Sequence, residues 1–382
     1  MRVLIAVGHA GIYSGGSHQA LYQLAGLKRA GVETLAIWGA DQEGDPHGFD
    51  RLKALDVPLE IIPIHRKPTY KSLRRFREVV RSFQPDVVEC VKSGAQYHAL
   101  FGCIGMNRHA LVFYRGISSR MDLFQGLKYR LHRVDRIIGN CRILKRVMAE
   151  TGRIPESKID VIYGEYDPAC GDPDAVDASG LRAELGIPEG IPVILQLGNW
   201  APWRGQTVTL EAAADLKKKC CQVLAPDSTK RVAFHLLFAG RETHKLSDTV
   251  ARLDLEDCTT MLPYRRDPER LLKISSIAVN ASTANESFSG ALLNAQAMGL
   301  PAVTSDVGGN TEAIEDGITG FVVPPGDAAA LAQALERLLT LPADRLSLMK
   351  QRSRQRALDL FSSETRTRNR LQTYHAALAH RA

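Results

Sequence analysis

Apolar residues fall along this chain in short runs, separated by longer stretches in which they recur every three or four positions. The runs are predicted strands, and the longer recurrence is that of amphipathic helices. In the first half Val3–Val7, Thr34–Trp38, Leu59–Ile64, Val87–Val91, Leu111–Tyr114, Arg136–Gly139 and Val161–Tyr163 are predicted strands. Ser17–Ala30, Lys71–Phe83, Leu127–Val134 and Ile143–Ala149 are predicted helices between them. Strand and helix alternating in this way predict right-handed crossovers and a parallel sheet covered on both faces. Pro168, Gly171, Pro173, Ser179 and Gly180 interrupt the pattern and mark a connector near residues 167–190, with Leu181–Leu185 a short helical turn. The alternation then restarts, with strands at Pro192–Leu197, Phe234–Ala239, Thr259–Leu262, Ile277–Ala281, Ala302–Thr304 and Phe321–Val323. Helices are predicted at Thr207–Lys219, Pro268–Ile274, Ala291–Met298 and Ala328–Leu339, and Arg345–Leu358 and Thr365–Ala379 close the chain. The prediction is an α/β protein of two doubly wound domains, with ligands held by loops at the carboxyl ends of the strands, in a cleft between the domains.

Composition changes this picture little, and charge changes it more. The 382 residues are 45% hydrophobic and 24% charged, which excludes disordered, collagenous and coiled-coil classes. The apolar run Val3–Val7 is too short for a secretory signal, and the seven cysteines include no Cys-x-x-Cys pair, so the chain is expected in the cytosol. Adjacent Cys220 and Cys221 read as small hydrophobes at a helix end rather than as a redox pair. The net charge is +7, but residues 1–170 carry +8 and the remainder −1. Residues 66–146 hold 18 basic side chains against 5 acidic ones. Along the predicted helix after His65, Leu73, Phe76, Val79 and Val80 can face the core, leaving Lys71, Arg74, Arg75, Arg77 and Arg81 to solvent near Tyr70. Such a face suits an anionic membrane surface or an anionic acceptor. Nucleic acid is not expected, because no nucleic-acid motif or aromatic platform accompanies the charge.

Three loops have the build of ligand-binding elements. His9 to Ser17 contains Gly15 and Gly16, which let backbone approach a ligand, and Ser17, which can cap the following helix; the segment can also be a plain connecting turn. The G-x-G-x-x-G spacing of dinucleotide sites is absent. Gly198 to Gly205 places Arg204 at a loop tip, suited to bidentate phosphate binding or to stacking on Trp200 or Trp203. Ala284 to Asn294 leads from a strand into a helix opening near Gly290, with Glu286 on the approach and Asn294 one turn in. The free amides of such a helix start attract anions. Glu286 can alternatively cap that helix or bind a neighbouring amide. Asp254-Leu-Glu256 is read as an amphipathic helix end and not as a metal motif; no metal is expected.

The stretch from Glu286 to Asp327, Glu-Ser-Phe-Ser-Gly-Ala-Leu-Leu-Asn through Asp-Gly-Ile-Thr-Gly-Phe-Val-Val-Pro-Pro-Gly-Asp, resembles the nucleotide-binding region of the retaining GT-B glycosyltransferases of the large group 1 family. Gly15-Gly16, Asp135–Cys141, Ile159–Asp167 and Gly198–Gly205 echo the same family. The resemblance implies two Rossmann-like domains: residues 1–168 with 362–382 binding the acceptor, and 169–361 binding the sugar nucleotide, with the last helix packing back on the first domain. It implies that Glu286 contacts the donor sugar ring and that the amides of Phe288, Ser289, Gly290, Ala291 and Leu292 hold the diphosphate. Arg204 takes the place of the lysine that neutralises the leaving phosphates, Gly16 lies near the β-phosphate beside Gly15, and Arg115 replaces a histidine close to the reacting centre. Tyr264 and Arg265 would border the nucleobase. Asn294 stands where the family's second glutamate binds the ribose, Asn199 where an arginine is expected, and Gly164-Glu165 where Asn-Gly is expected. The implied activity is sugar transfer from a nucleotide-diphosphate sugar, its co-substrate, to a glycan or lipid-linked acceptor with retention, in cell-envelope or exported polysaccharide synthesis. No cofactor is implied, and the expected location is cytoplasmic or peripheral at the inner face of the plasma membrane. A sugar-nucleotide epimerase or phosphorylase, or a silent sugar-nucleotide-binding subunit, are the alternatives.

Overall fold

In a computed structural model describing residues 1–9, 11–12, 14–39, 46–223 and 234–381, the chain divides into two compact units, residues 1–165 with 362–382 and residues 166–361. Unit 1 holds strands β1 (Arg2–Val7), β2 (Glu33–Trp38), β3 (Leu59–Ile61), β4 (Val87–Val91), β5 (Ala110–Arg115), β6 (Arg136–Gly139) and β7 (Ile159–Val161). They form one sheet in the order β3-β2-β1-β4-β5-β6-β7, parallel throughout, with Ile5 opposite Glu89 in the β1–β4 register. Unit 2 holds β8 (Val193–Leu197), β9 (His235–Ala239), β10 (Thr259–Leu262), β11 (Ile277–Asn280), β12 (Ala302–Ser305) and β13 (Gly320–Val323), ordered β10-β9-β8-β11-β12-β13 and again parallel. Strands buried on both faces read as continuous apolar runs, as Val3–Val7 and Val193–Leu195 do here. In each sheet the strand order reverses beside the first strand, between β1 and β4 and between β8 and β11. Loops after those strands are where such folds bind ligands.

The closing helix Ser363–Ala379 belongs to unit 1. Its Tyr374 and Ala377 enter the core around β1, and Thr367 lies so close to Gly26 that a Cβ there would overlap its hydroxyl. Two buried ion pairs fasten it: Arg370 Nε lies 3.1 Å from Glu89 Oε2, and Arg366 Nη1 3.3 Å from Glu165 Oε2. Breaking one partner of such a pair leaves an uncompensated buried charge, so the helix is pinned at both ends of this contact.

Several elements depart from the sequence expectation for local reasons. The helix placed at Leu127–Val134 runs Leu123–Arg130, because Asp122 caps it by accepting from the Gln125 amide at 2.6 Å and Leu131 is already extended. The strand expected at Val161–Tyr163 is Ile159–Val161, fixed by pairing with Ile137–Gly139. The strand expected to run to Ile64 stops at Ile61. Ser14, not Ser17, caps the first helix, Gly15–Arg29; Ser17 supplies the reciprocal bond of the capping box. Helices Pro46–Ala54 and Ser93–Gly102 have no counterpart in the expectation. Cys220 and Cys221 fall in the helix Gln206–Val223, but their side chains lie outside the described residues.

Candidate functional site

The unit 2 switch point brings the Arg204 and Glu286 loops together. One follows β8 and the other follows β11, and these strands are hydrogen-bonded neighbours. The first loop ends in Gly205, whose φ of +69° and overlap of any Cβ with the Ala281 carbonyl make glycine obligatory. That close approach lets the Thr283 amide donate to Trp203 O at 2.8 Å, sewing one loop to the other. Gln196 adds a brace: its Nε2 donates to Arg204 O at 2.9 Å while its Oε1 accepts from Thr209 Oγ1 at 2.7 Å.

With the loops fixed, Arg204 Nη1 donates to Glu286 Oε2 at 2.7 Å, and Ser282 Oγ lies 3.4 Å from the same oxygen. The Glu286 side chain is 12% exposed and that of Arg204 38%. Lys245 lies over Trp200, while Arg204 bonds the Glu286 carboxylate. Below them the helix Gly290–Ala297 begins. Ser289 occupies its cap position without a side-chain cap bond, since its Oγ accepts from Asn280 Nδ2 at 2.8 Å. The first amides of any helix lack intrahelical acceptors, and this turn opens four residues after Glu286 in the chain. Phe288 is held by an edge-on contact with Phe361, ring centroids 5.6 Å apart. Leu292 is buried beneath the turn, and Ala291 is half-buried.

The remaining candidates in unit 2 have structural partners. Asn294 Oδ1 accepts from the Asp167 amide at 2.8 Å, and Asn199 Oδ1 accepts from the Arg241 amide at 3.0 Å. Tyr264 is exposed, with the Arg241 guanidinium 5.9 Å from its ring centre. Arg265 makes a fork with Asp267, at 2.9 and 2.7 Å, and reaches Glu184 at 3.1 Å. Those bonds hold its pKa above the ordinary arginine value and commit its charge to the fold.

In unit 1, Gly15 and Gly16 open the first helix after β1. A Cβ on Gly16 would stand 3.1 Å from the His9 ring. His9 is buried, and burial with the nearby Lys92 charge lowers its pKa to about 3. Lys92, at the end of β4, has a left-handed φ of +74°. Arg115, at the end of β5, binds its own loop, donating to Ile117 O at 3.1 Å and Ser119 O at 2.8 Å. Of the basic side chains expected to face solvent on Tyr70–Phe83, three have partners. Arg74 pairs with Glu78 at 2.9 Å, Arg75 with Glu60 at 2.8 Å, and Arg77 donates to the Gly102 and Ile104 carbonyls.

Sequence reasoning missed the parts that support the site rather than touch a ligand. Gln196 sat unremarked in a strand. Gly308, with φ +57° and a Cβ that would overlap the Glu286 backbone carbonyl, packs a second loop against the Glu286 main chain; its signal was the Gly308-Gly309 pair. Among the described residues, no three His, Cys, Asp or Glu side chains gather as a metal would need. Asp254 follows the helix Ser247–Arg252 in a left-handed turn, and Lys217 bonds Asp257 beside it at 2.8 Å.

Two family patterns match the sequence: "Glycosyl transferases group 1" over residues 178–356 and "Glycosyltransferase Family 4" over residues 13–169. A D-inositol 3-phosphate glycosyltransferase of Nocardia farcinica is 31% identical over 261 residues, 66% of this chain and 55% of that protein. Its counterpart in Salinispora arenicola is 31% identical over 253 residues, 64% of this chain and 55% of that protein. The chain thus spans about half the length of these relatives. Among solved structures, a glycosyltransferase from Rickettsia africae aligns over 99% of this chain and 98% of its own, with TM-score 0.85 and 21% identity. Anabaena HepE in complex with UDP-glucose aligns over 98% and 99%, with TM-score 0.79 and 19% identity. The fold of these chains, GT-B, is the fold found here.

Proposed function

This chain belongs to the group 1 glycosyltransferases, and on that premise we propose that it transfers a sugar from a nucleotide-diphosphate sugar to a glycan or lipid-linked acceptor with retention at the anomeric carbon. The observation that carries the reading is the Arg204–Glu286 pair set at the start of the Gly290–Ala297 helix. Amide N–H groups and a guanidinium suit a diphosphate, and a carboxylate beside them suits sugar hydroxyls. In the transfer, the bond from the anomeric carbon to the diphosphate oxygen breaks and its electron pair leaves with the phosphate. An acceptor hydroxyl oxygen bonds that carbon from the same face, and its proton passes to the departing phosphate oxygen. Charge grows on the leaving oxygens, where Arg204 and the helix amides are already oriented, so stabilisation requires little reorganisation. Glu286, in this scheme, orients the donor ring.

Uridine is the first base to test, because the HepE structure of the same fold contains UDP-glucose. The experiment supplies a panel of UDP-sugars with an acceptor pool and measures UDP release and glycosylated product. Release that needs acceptor, and falls on the order of 10²-fold in Glu286→Gln, is expected. Conversion of the sugar nucleotide without acceptor would mark an epimerase. Binding without turnover would mark a silent subunit, a reading the structural bonds of Asn199 and Asn294 also accommodate.

A further inference from the structure

In the functional reading Arg204, Glu286 and the amides opening Gly290–Ala297 take the diphosphate and the sugar, which leaves the ribose without a partner. A ribose presents two vicinal hydroxyls, and a carboxylate, with two strong acceptor oxygens, suits that pair. Asn294 does not fill the role, because its Oδ1 is committed to the Asp167 amide at 2.8 Å. Most carboxylates at the ligand end of unit 2 are committed as well. In the loops and helix starts that follow β8, β9, β10 and β11, Glu242 pairs with Lys245 at 2.6 Å, Asp267 with Arg265 at 2.7 Å and Glu286 with Arg204 at 2.7 Å. Glu269 is the exception: among the described residues it has no ion pair and no hydrogen bond to another residue.

Glu269 is the second residue of the helix Pro268–Ile274, which follows β10 and packs against the Gly290–Ala297 helix. Both helices begin past the carboxyl ends of strands, the edge at which doubly wound sheets bind ligands. The connector ties the two together: Asp167 bonds Asn294 on one helix, and Asp177 O accepts from Arg270 Nε of the other at 2.9 Å. Ribose is joined directly to the diphosphate, so a diphosphate at the Gly290 turn brings it to these neighbouring helix starts. Glu269 is half-buried, so its carboxylate gives up solvation and gains no partner in the free protein. Burial, with the Asp167 and Asp267 carboxylates nearby, holds its pKa above the usual glutamate value. A desolvated acid with no structural partner, on a ligand-binding edge, is a functional candidate on physical grounds.

We propose that Glu269 is the ribose-binding residue of the donor site, its carboxylate accepting from the 2′- and 3′-hydroxyls of the nucleotide. The proposal rests on the functional reading above and adds to it a residue that the reading does not use.

Titration calorimetry on the full chain tests it, with UDP first and then ADP, GDP and CDP, each compared with its 2′,3′-dideoxy form. For the nucleotide that binds tightest, wild type is expected to bind the dideoxy form about 10- to 100-fold more weakly, the worth of hydrogen bonds to a charged group. Glu269→Gln should weaken the parent nucleotide by a similar factor and leave the two forms within about threefold of each other. The free Glu269→Gln protein should melt no lower than wild type, because no partner is lost. Asn294→Ala should keep the wild-type ratio between the two forms, since its side chain serves the connector. Equal affinity of wild type for both forms would overturn the ribose assignment while leaving the functional reading intact. So would a wild-type ratio in Glu269→Gln accompanied by a lower melting temperature, which would make Glu269 a charge that merely stabilises its helix. A ratio that collapses in Asn294→Ala and persists in Glu269→Gln would give the ribose to the amide instead. A chain that binds none of the four nucleotides would overturn the functional reading, and this assignment with it.

Discussion

Arg204→Ala tests the electrostatics of the donor site most sharply. In the free protein one Arg204 N–H is donated to Glu286 Oε2 at 2.7 Å, and the carboxylate is 12% exposed. A diphosphate arriving at the helix start meets a guanidinium that can serve both anions. Without it, the charge-assisted contact is lost and the Glu286 carboxylate faces the incoming phosphates unscreened. Loss of such a contact costs about 2–4 kcal/mol, and at 1.4 kcal/mol per decade this is roughly 30- to 700-fold in the Kd for UDP. Part of that loss is repulsion, so adding Glu286→Gln to the Arg204→Ala background should recover UDP affinity by roughly 5- to 10-fold, about 1 kcal/mol of like-charge interaction in a partly solvated site. Uridine lacks the phosphates and should bind both variants like wild type. Isothermal titration with UDP and uridine reads both effects. Equal weakening of the two ligands, or a double variant that binds UDP worse than Arg204→Ala alone, would refute the reasoning.

Gly308→Ala should lower kcat/KM by about 10²-fold with little change in circular dichroism, because its Cβ would overlap Glu286 O and displace that backbone by on the order of 1 Å. Asn294→Leu removes the acceptor of the Asp167 amide and should cost about 1–3 kcal/mol, visible by calorimetry as a lower melting temperature, whereas Asn294→Asp keeps the acceptor and most of the stability. His9 and His109 both have pKa values lowered to about 3, chiefly by burial, against an unfolded value near 6.5. Between those values the unfolded chain takes up protons that the folded chain refuses, so stability should fall as pH drops from about 6.5 towards 3; unfolding free energies that are flat across that window would contradict the burial of these rings.

Much of this architecture was legible because parallel sheets leave a simple trace. Val87–Val91, Arg136–Gly139 and Thr259–Leu262 are strands at the predicted residues, and a strand covered on both faces, such as Val3–Val7, leaves the plainest apolar run. The loops of Arg204 and Glu286 were also legible, one from a glycine after a basic tip and the other from a polar segment between strand and helix. What the pattern did not show was which partner each side chain finds. Leu127–Val134 showed helical spacing, but the Asp122 cap and the Gly126–Gly152 contact set its true start and turned its leucines outward. Arg265 looked available for a base, and only the fold shows Asp267 and Glu184 claiming it. Asn294 looked like a weakened ribose contact, while its carbonyl is in fact bound to the connector at Asp167. The surplus charge of the first half was legible as a number, but which arginines were free was not, because Glu60 lies on a strand 15 residues before Arg75.

Hydrogen–deuterium exchange with and without UDP tests the central claim most directly, because the proposal puts the diphosphate at the backbone amides that open the Gly290–Ala297 helix and at the loop carrying Arg204. The account predicts that saturating UDP slows exchange in peptides covering residues 198–206 and 286–293, and that uridine slows it far less. UDP that binds and protects other segments while leaving both of these unchanged would contradict it.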